Sequence, residues 1–236
     1  MSGHLAAVRA ITARPSAGPV YRSIVAVDLE GSTKRTNVVK GELRRVMYEL
    51  LDRALTAAGI GPNHLEDLVD RGDGVLILVR PHDDVPKTVL LGRLMPVLTA
   101  LLAGHNAQVT RPELELRLRA VVHAGEVHYD GRGFYGDDLD VAFRLLDAPA
   151  VKRALREAAY SPLVLVVSEE ICTAIIRHGY VSPGRCGPAV RVRVGERLRR
   201  GRVHIPVPAD ADRPPVLRLV SGQLLPTTPL SIAAAN

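Results

Sequence analysis

Apolar positions along the 236-residue chain fall into short β-branched runs separated by longer stretches of helical period. "YRSIVAVDL", ending at Leu29, predicts a buried strand with Asp28 at its C-terminal end. From Asn37 to Ala58, Val39, Leu43, Val46, Met47, Leu50 and Leu51 recur at helical spacing, with Glu42, Arg44, Arg45 and Glu49 between them. That pattern predicts a long amphipathic helix, ended by Gly59 and Gly61. "HLEDLVD" and "GVLILV" flank "RGDG", in which Gly72 and Gly74 permit the tight turn of a hairpin with Asp73 at its tip. Pro86 suits the first turn of a second helix carrying Val89, Leu90, Leu94, Val97, Leu98 and Leu101.

In "ELELRLRAVVHAGEV", Leu114, Leu116 and Leu118 alternate with Glu115, Arg117 and Arg119, predicting a strand with one buried and one charged face. A glycine-rich loop, "GRGFYGDD", leads into "LDVAFRLLDAPAVKRAL", one helix or two broken near Pro149. "LVLVVS" is another buried strand, Ser168 can cap the helix "EEICTAIIRHG", and "VRVRVGERLRRGRVHIPV" closes as a hairpin. Strands alternating with helices, with hairpins interposed, predict an α+β sandwich whose sheet is covered on one side by helices. The expected organisation is one domain over residues 21–206, preceded by a flexible arm, 1–20, and followed by a Pro-rich tail, 207–236.

Composition narrows the function classes. Thirty-one Lys and Arg against 25 Asp and Glu leave a charge of +6, which fits an anionic ligand such as a nucleotide. With two Phe and no Trp, stacking platforms for single-stranded nucleic acid are scarce, so no nucleic-acid partner is expected. Two cysteines without C-x-x-C spacing fit a reducing compartment. No leader and nothing approaching a membrane span is read from the sequence, so a cytoplasmic protein is expected.

The chemistry concentrates in two aspartates. A carboxylate at the end of a central strand and another at a hairpin tip can converge on a divalent cation, and hard oxygen ligands suit Mg2+ or Mn2+. The loop Glu30, Gly31, Ser32, Thr33 offers backbone donors leading into a helix, as a polyphosphate requires. It is not a P-loop, because in "GSTK" the lysine follows the hydroxyl residues and the upstream glycine is missing. His123 and His128 lie five residues apart on one strand and so on opposite faces, which argues against a zinc pair.

Four blocks, "VAVDLEGST", "DRGDGVLILV", "LRAVVHAGEV" and "GFYGDDLDVAFRLLDAP", follow one another as do the signature blocks of the class III nucleotide cyclases, which the chain resembles over about residues 21–206. The resemblance implies a ferredoxin-like βαβ core sheet with covering helices. It implies two Mg2+ or Mn2+ ions held by Asp28, Asp73 and the carbonyl of Leu29, with a nucleoside triphosphate over the loop Glu30–Thr33 as substrate. Arg144 takes the position of the transition-state arginine, one helical turn after Asp140. The resemblance implies a basic residue near the C-terminus for the terminal phosphate, for which Arg197, Arg199, Arg200 and Arg202 are all available and Arg199 is the candidate. A homodimer with active sites shared between protomers is implied as well.

The pattern also departs from that family. Val69 and Gly133 stand where purine cyclases carry base-selecting side chains, and Asp140 replaces an asparagine. Asp70 and Arg71 are substitutes for base recognition. The layout resembles the stand-alone bacterial pyrimidine cyclases of anti-phage defence, which implies UTP or CTP as substrate. The alternatives are a catalytically degenerate, nucleotide-binding regulatory module and a purine cyclase with a non-standard pocket.

Overall fold

The computed structural model describes residues 18–206 and the backbone of a strand pair, Leu217–Val220 and Gln223–Pro226. The expected N-terminal arm, as far as residue 17, and the expected tail, apart from that strand pair, lie outside the described residues.

The first half follows the sequence pattern closely. β1 (Val20–Leu29) leads to α1 (Asn37–Ala57), then to the hairpin β2 (Val69–Asp70) and β3 (Gly74–Val79). A continuous helix, Lys87–Gln108, precedes β4 (Leu118–Tyr129); its first segment is α2 (Lys87–Val89) and its last α3 (Met95–Gln108). These four strands lie in the order β2-β3-β1-β4, each antiparallel to its neighbours, which is the ferredoxin-like arrangement the resemblance implies. After β5 (Phe134–Tyr135), α4 (Asp137–Leu146) and α5 (Pro149–Glu157), β6 (Leu163–Ser168) joins β4 in parallel. The hairpin β7 (Arg185–Val194) and β8 (Arg197–Ile205) then extends the sheet as β6-β8-β7.

Helices cover both faces of the sheet, not one. Val25, Val27, Val75 and Val122 meet Leu43, Met47 and Leu51 of α1 and Leu98 of α3. On the other face Ile24, Ala26, Val121 and Val166 meet Leu139, Ala142 and Leu145 of α4 and Leu155 of α5. The order of strands and helices behind the one-sided expectation does not say which face each helix takes, and the charged strand face expected from the alternation around Leu114–Arg119 is not found, because that alternation lies largely before the strand. Pro112–Leu114 is a 3-10 turn, β4 starts at Leu118, and its residues 118–125 are buried on both faces. Arg117 and Arg119 are not solvent-facing charges either. Arg117 caps the end of α5 through the carbonyls of Leu155 and Ala158, where the helix dipole favours a cation, and Arg119 is buried.

Two further expectations change. The helix Lys87–Gln108 is long and apolar enough to cross a membrane, contrary to the reading that nothing in the chain approaches a span. Its Leu90, Leu91, Leu94, Met95, Leu98 and Leu102 are buried in the core against α1 and the sheet, which gives that apolar surface a use inside the fold. Ser168 does sit at the N-terminus of the short helix Glu169–Ile171, but its hydroxyl is bonded 2.8 Å from His123 Nδ1 and caps nothing.

The hairpin tip depends on its glycines. Gly72 has φ 79°, which suits glycine, and a Cβ on Gly74 would lie 2.4 Å from the carbonyl oxygen of Val27. β3 can therefore approach the end of β1 closely only with glycine at that position.

The core contains one titratable group with no partner. His204 on β8 is 3 % exposed, and neither ring nitrogen has a hydrogen-bond partner among the described residues. Burial, with the charge of Arg202 nearby, pushes its pKa down to about 4. An unfolded histidine titrates near 6.5, so as pH falls from about 6.5 to about 4 the unfolded chain takes up a proton that the native protein refuses. Stability is therefore undiminished above that window and lost within it, by about 3 kcal/mol in all. Urea midpoints measured between pH 7 and pH 4 should fall less steeply for His204→Leu than for the wild type; equal slopes would contradict this account.

Candidate metal and phosphate site

β1 and β3 bring the two aspartates side by side. Asp28 is in register with Gly74, and the Leu29 N–H donates to the Asp73 carbonyl at 2.9 Å. The tip is held by Arg71 N–H to Gly74 O at 2.9 Å and by Gly72 N–H to the Asp70 carboxylate at 2.7 Å. Two half-buried carboxylates thus end adjacent strands at one edge of the core.

Beside Asp28 is a residue absent from the sequence-based site. Arg119, opposite Asp28 in the β1–β4 register, forms an ion pair with the Asp28 carboxylate, and Asp147 lies 3.6 Å from its other terminal nitrogen. Its side chain is 11 % exposed, and among the described residues Nε and Nη1 have no hydrogen-bond partner. Burial lowers its pKa and Asp147 acts in the opposite direction; a guanidinium remains charged in either case. A buried cation with unused donors beside two carboxylates is suited to an anion arriving together with metal ions. The available signal was an arginine two residues into an otherwise apolar run, which the alternation disguised as surface charge.

The loop after β1 is shaped differently from the expectation. Glu30 pairs with Arg117 at 3.1 Å, Gly31 has φ 69°, and Ser32–Lys34 is a single 3-10 turn with Ser32 buried. α1 starts only at Asn37, capped by the Thr36 hydroxyl, so its dipole does not bear directly on Gly31–Thr33.

Several other expected residues are engaged elsewhere. Val69 packs against the α4-side core. Gly133 donates its N–H to the Asp130 carboxylate at 2.9 Å in the turn before β5. Arg71 stacks 3.7 Å above the Phe143 ring, tying the hairpin to α4. Asp70 is bonded by Arg44, by the Tyr48 hydroxyl at 3.1 Å and by Gly72. Burial works to raise its pKa, but these donors outweigh it and hold the carboxyl below its ordinary value. Neither Arg71 nor Asp70 is thereby free in this structure to read a base.

Asp140 and Arg144 lie on the exposed face of α4, opposite the buried stripe Leu139, Ala142, Leu146. Among the described residues neither makes an ion pair; Asp147 pairs with Lys152 and Arg119 instead. Among the described residues no ion pair joins Asp140 or Arg144 to Asp28 or Asp73 of the same chain.

Arg199 belongs to a different place. With Arg197, Glu126, His128, Tyr135 and the start of α4 at Gly136–Asp138 it lines a cleft of about 510 Å³. The Tyr135 ring stacks on His128 at 5.1 Å. Beneath this cleft a buried chain runs from Ser168 through His123 to Asp138, with His123 Nε2 3.3 Å from the carboxylate. Ser168 is fully buried, so the chain is a structural brace and not a nucleophile. His128 and His123 face opposite sides of β4, as expected. The cleft adjoins Glu126 whereas the aspartates adjoin Arg119; at about 3.3 Å per residue the two places are separated by roughly 23 Å along β4.

No protein-family model matches the chain, and no curated protein matches it in sequence. Solved structures do match in fold. The guanylyl cyclase Cya2 is 16 % identical, with 83 % of this chain and 97 % of that one covered and a TM-score of 0.56. An adenylate/guanylate cyclase/hydrolase from Silicibacter pomeroyi is 20 % identical over 80 % of this chain and 99 % of that one, with a TM-score of 0.55. The adenylyl cyclase CyaB from P. aeruginosa is 14 % identical over 83 % and 98 %, with a TM-score of 0.52. Topology and comparisons agree, and the chain has the fold of the class III nucleotidyl cyclase domains.

Proposed function

We propose that the protein is a metal-dependent nucleotidyl cyclase, converting a nucleoside triphosphate to a 3′,5′-cyclic nucleotide and pyrophosphate. The observation that carries this reading is the pair Asp28 and Asp73, side by side on adjacent strand ends, with a buried arginine paired to Asp28. Two carboxylates and the Leu29 carbonyl are hard oxygen donors, a set that fits Mg2+ or Mn2+. Two such ions would lower the pKa of the ribose 3′-hydroxyl and neutralise charge on the departing pyrophosphate. With its carboxylate partner engaged by a cation, Arg119 would offer its unused N–H groups to a phosphate oxygen.

The separation of the aspartates from the Arg199 cleft supports a shared-site homodimer. One chain cannot bring both ends of β4 to a single triphosphate, but two copies arranged head to tail can, with Arg144 of one copy stabilising charge on the α-phosphoryl group held by the other. A pyrimidine substrate, UTP or CTP, is favoured because Val69 is given to the core and Gly133 has no side chain. A second reading, a nucleotide-binding module without turnover, draws on Asp140, whose negative charge on the exposed face of α4 opposes developing phosphoryl charge.

The test is incubation of the purified chain with Mn2+ and each of the four ribonucleoside triphosphates, with cyclic product read by mass spectrometry. Cyclic UMP or cyclic CMP is expected. Product from ATP or GTP alone would overturn the base preference, and no product from any of the four would favour the binding module.

A further inference from the structure

We propose a second metal site, for Zn2+ or a similar borderline transition ion, at the open end of the β2–β3 hairpin, formed by His64, His82 and Asp84. One ligand atom from each of these three residues lies within 4.8 Å of the other two. Two imidazoles and a carboxylate form a donor set suited to zinc with a fourth position left to water, and they differ from the all-oxygen set at Asp28 and Asp73.

The backbone holds both halves of the site. His64 ends the 3-10 turn Pro62–His64; its N–H donates to Gly61 O at 2.9 Å, and its carbonyl accepts the Arg80 N–H at 2.7 Å. His82 follows β3, and its carbonyl accepts the N–H of buried Val85 at 3.1 Å. The two rings meet edge to face with centroids 4.8 Å apart. His82 Nδ1 lies 3.5 Å from an Asp84 carboxylate oxygen, near the edge of about 3.3 Å expected between two ligands of tetrahedral zinc.

What remains is a small closure. The His82 and Asp84 side chains are 50 % and 80 % exposed, so rotation brings their ligand atoms in without disturbing the core. Each ring nitrogen Nδ1 currently accepts a local backbone N–H, from Gly61 at 3.1 Å and from Asp84 at 3.2 Å. A metal taken at Nδ1 replaces those two weak bonds, and the freed N–H groups pass to water. The nearby Arg80 does not oppose a cation strongly, because its charge is committed to Glu66 at 2.8 Å.

Occupied, the site joins the segment before β2 to the segment after β3, clasping the hairpin at the end opposite Asp73. β3, Gly74–Val79, alone spans roughly 17 Å at about 3.3 Å per residue, so the clasp beyond its far end is separate from the proposed catalytic metals.

The test uses the full chain at pH 7.5 with saturating Mg2+, titrated with Zn2+ and followed by 15N NMR of the imidazoles. Two of the eight histidines should shift together by one equivalent, and the thermal midpoint should rise by about 5 °C at saturation. Asp28→Asn should leave this response intact, His82→Ala should abolish it, and Asp84→Asn should weaken the affinity at least tenfold. Imidazoles that stay unmoved at one equivalent, or a His82→Ala protein that binds zinc as the wild type does, would overturn the proposal.

Discussion

Asp73→Asn is expected to lower Mn2+-dependent cyclisation on the order of 10³-fold or more while leaving thermal stability nearly unchanged. Asp73 is half-buried at a turn held by backbone bonds of Arg71, Gly72 and Gly74, and among the described residues its carboxylate has no ion pair. Its charge is therefore spare for a cation. Asp28→Asn should remove a comparable share of activity but also cost stability, because Arg119 would lose the partner that compensates its burial. Asp147, 3.6 Å away and largely exposed, is a weak substitute. A buried charge left underpaired costs on the order of 2 kcal/mol, about 5 °C in thermal midpoint for a chain of this size. Activity and thermal unfolding measured on the same preparations separate the two roles. An Asp73→Asn protein that keeps more than a tenth of the wild-type rate would remove that aspartate from the chemistry, and an Asp28→Asn protein as stable as wild type would remove the ion pair from the energetics.

The divergence between these two aspartates also marks where sequence reading succeeds and where it stops. β1, α1, the hairpin and β6 were legible because each combines a clean period with a local terminator, such as Gly72 and Gly74 at the hairpin tip. Asp28 and Asp73 could be paired because strand ends and turn tips occupy defined places in an antiparallel ladder. Arg119 was hidden by the same rule. Alternation of charge and leucine reads as one wet face, yet at Arg117 and Arg119 the charges are paid for by Glu30, the end of α5, and Asp28. Whether an arginine is solvated or buried is decided by a partner far away in sequence, and periodicity carries no information about it. The two-sided cover of the sheet was not legible because the order of strands and helices does not say which face each helix takes, and Arg119 and His123 interrupt the apolar residues of the buried segment 118–125. His64 and His82, 18 positions apart, meet only because the hairpin between them folds back.

Mixing Asp73→Ala with Arg144→Ala protein should restore activity to about a quarter of the wild-type level, although each variant alone is expected to be nearly inactive. The argument rests on where one chain places its groups. Asp28 and Asp73 end adjacent strands, while Arg144 projects from the exposed face of α4 without touching them, and Arg199 lines the cleft at the far end of β4. In a two-fold dimer whose sites each take aspartates from one copy and Arg144 from the other, a heterodimer concentrates both defects in one site and leaves the second intact. Random reassortment makes about half of the dimers mixed, each with one working site of two, and a quarter follows. Arg144→Ala should lower turnover far more than triphosphate affinity, since an exposed guanidinium that meets the α-phosphoryl group acts on charge that develops in the transition state. Varying the ratio of the two variants at constant total protein, with product quantified at each ratio, should give a maximum near equal amounts. Rates that never exceed the sum of the two parents would rule out shared sites and require Arg144 to act, if at all, within its own chain.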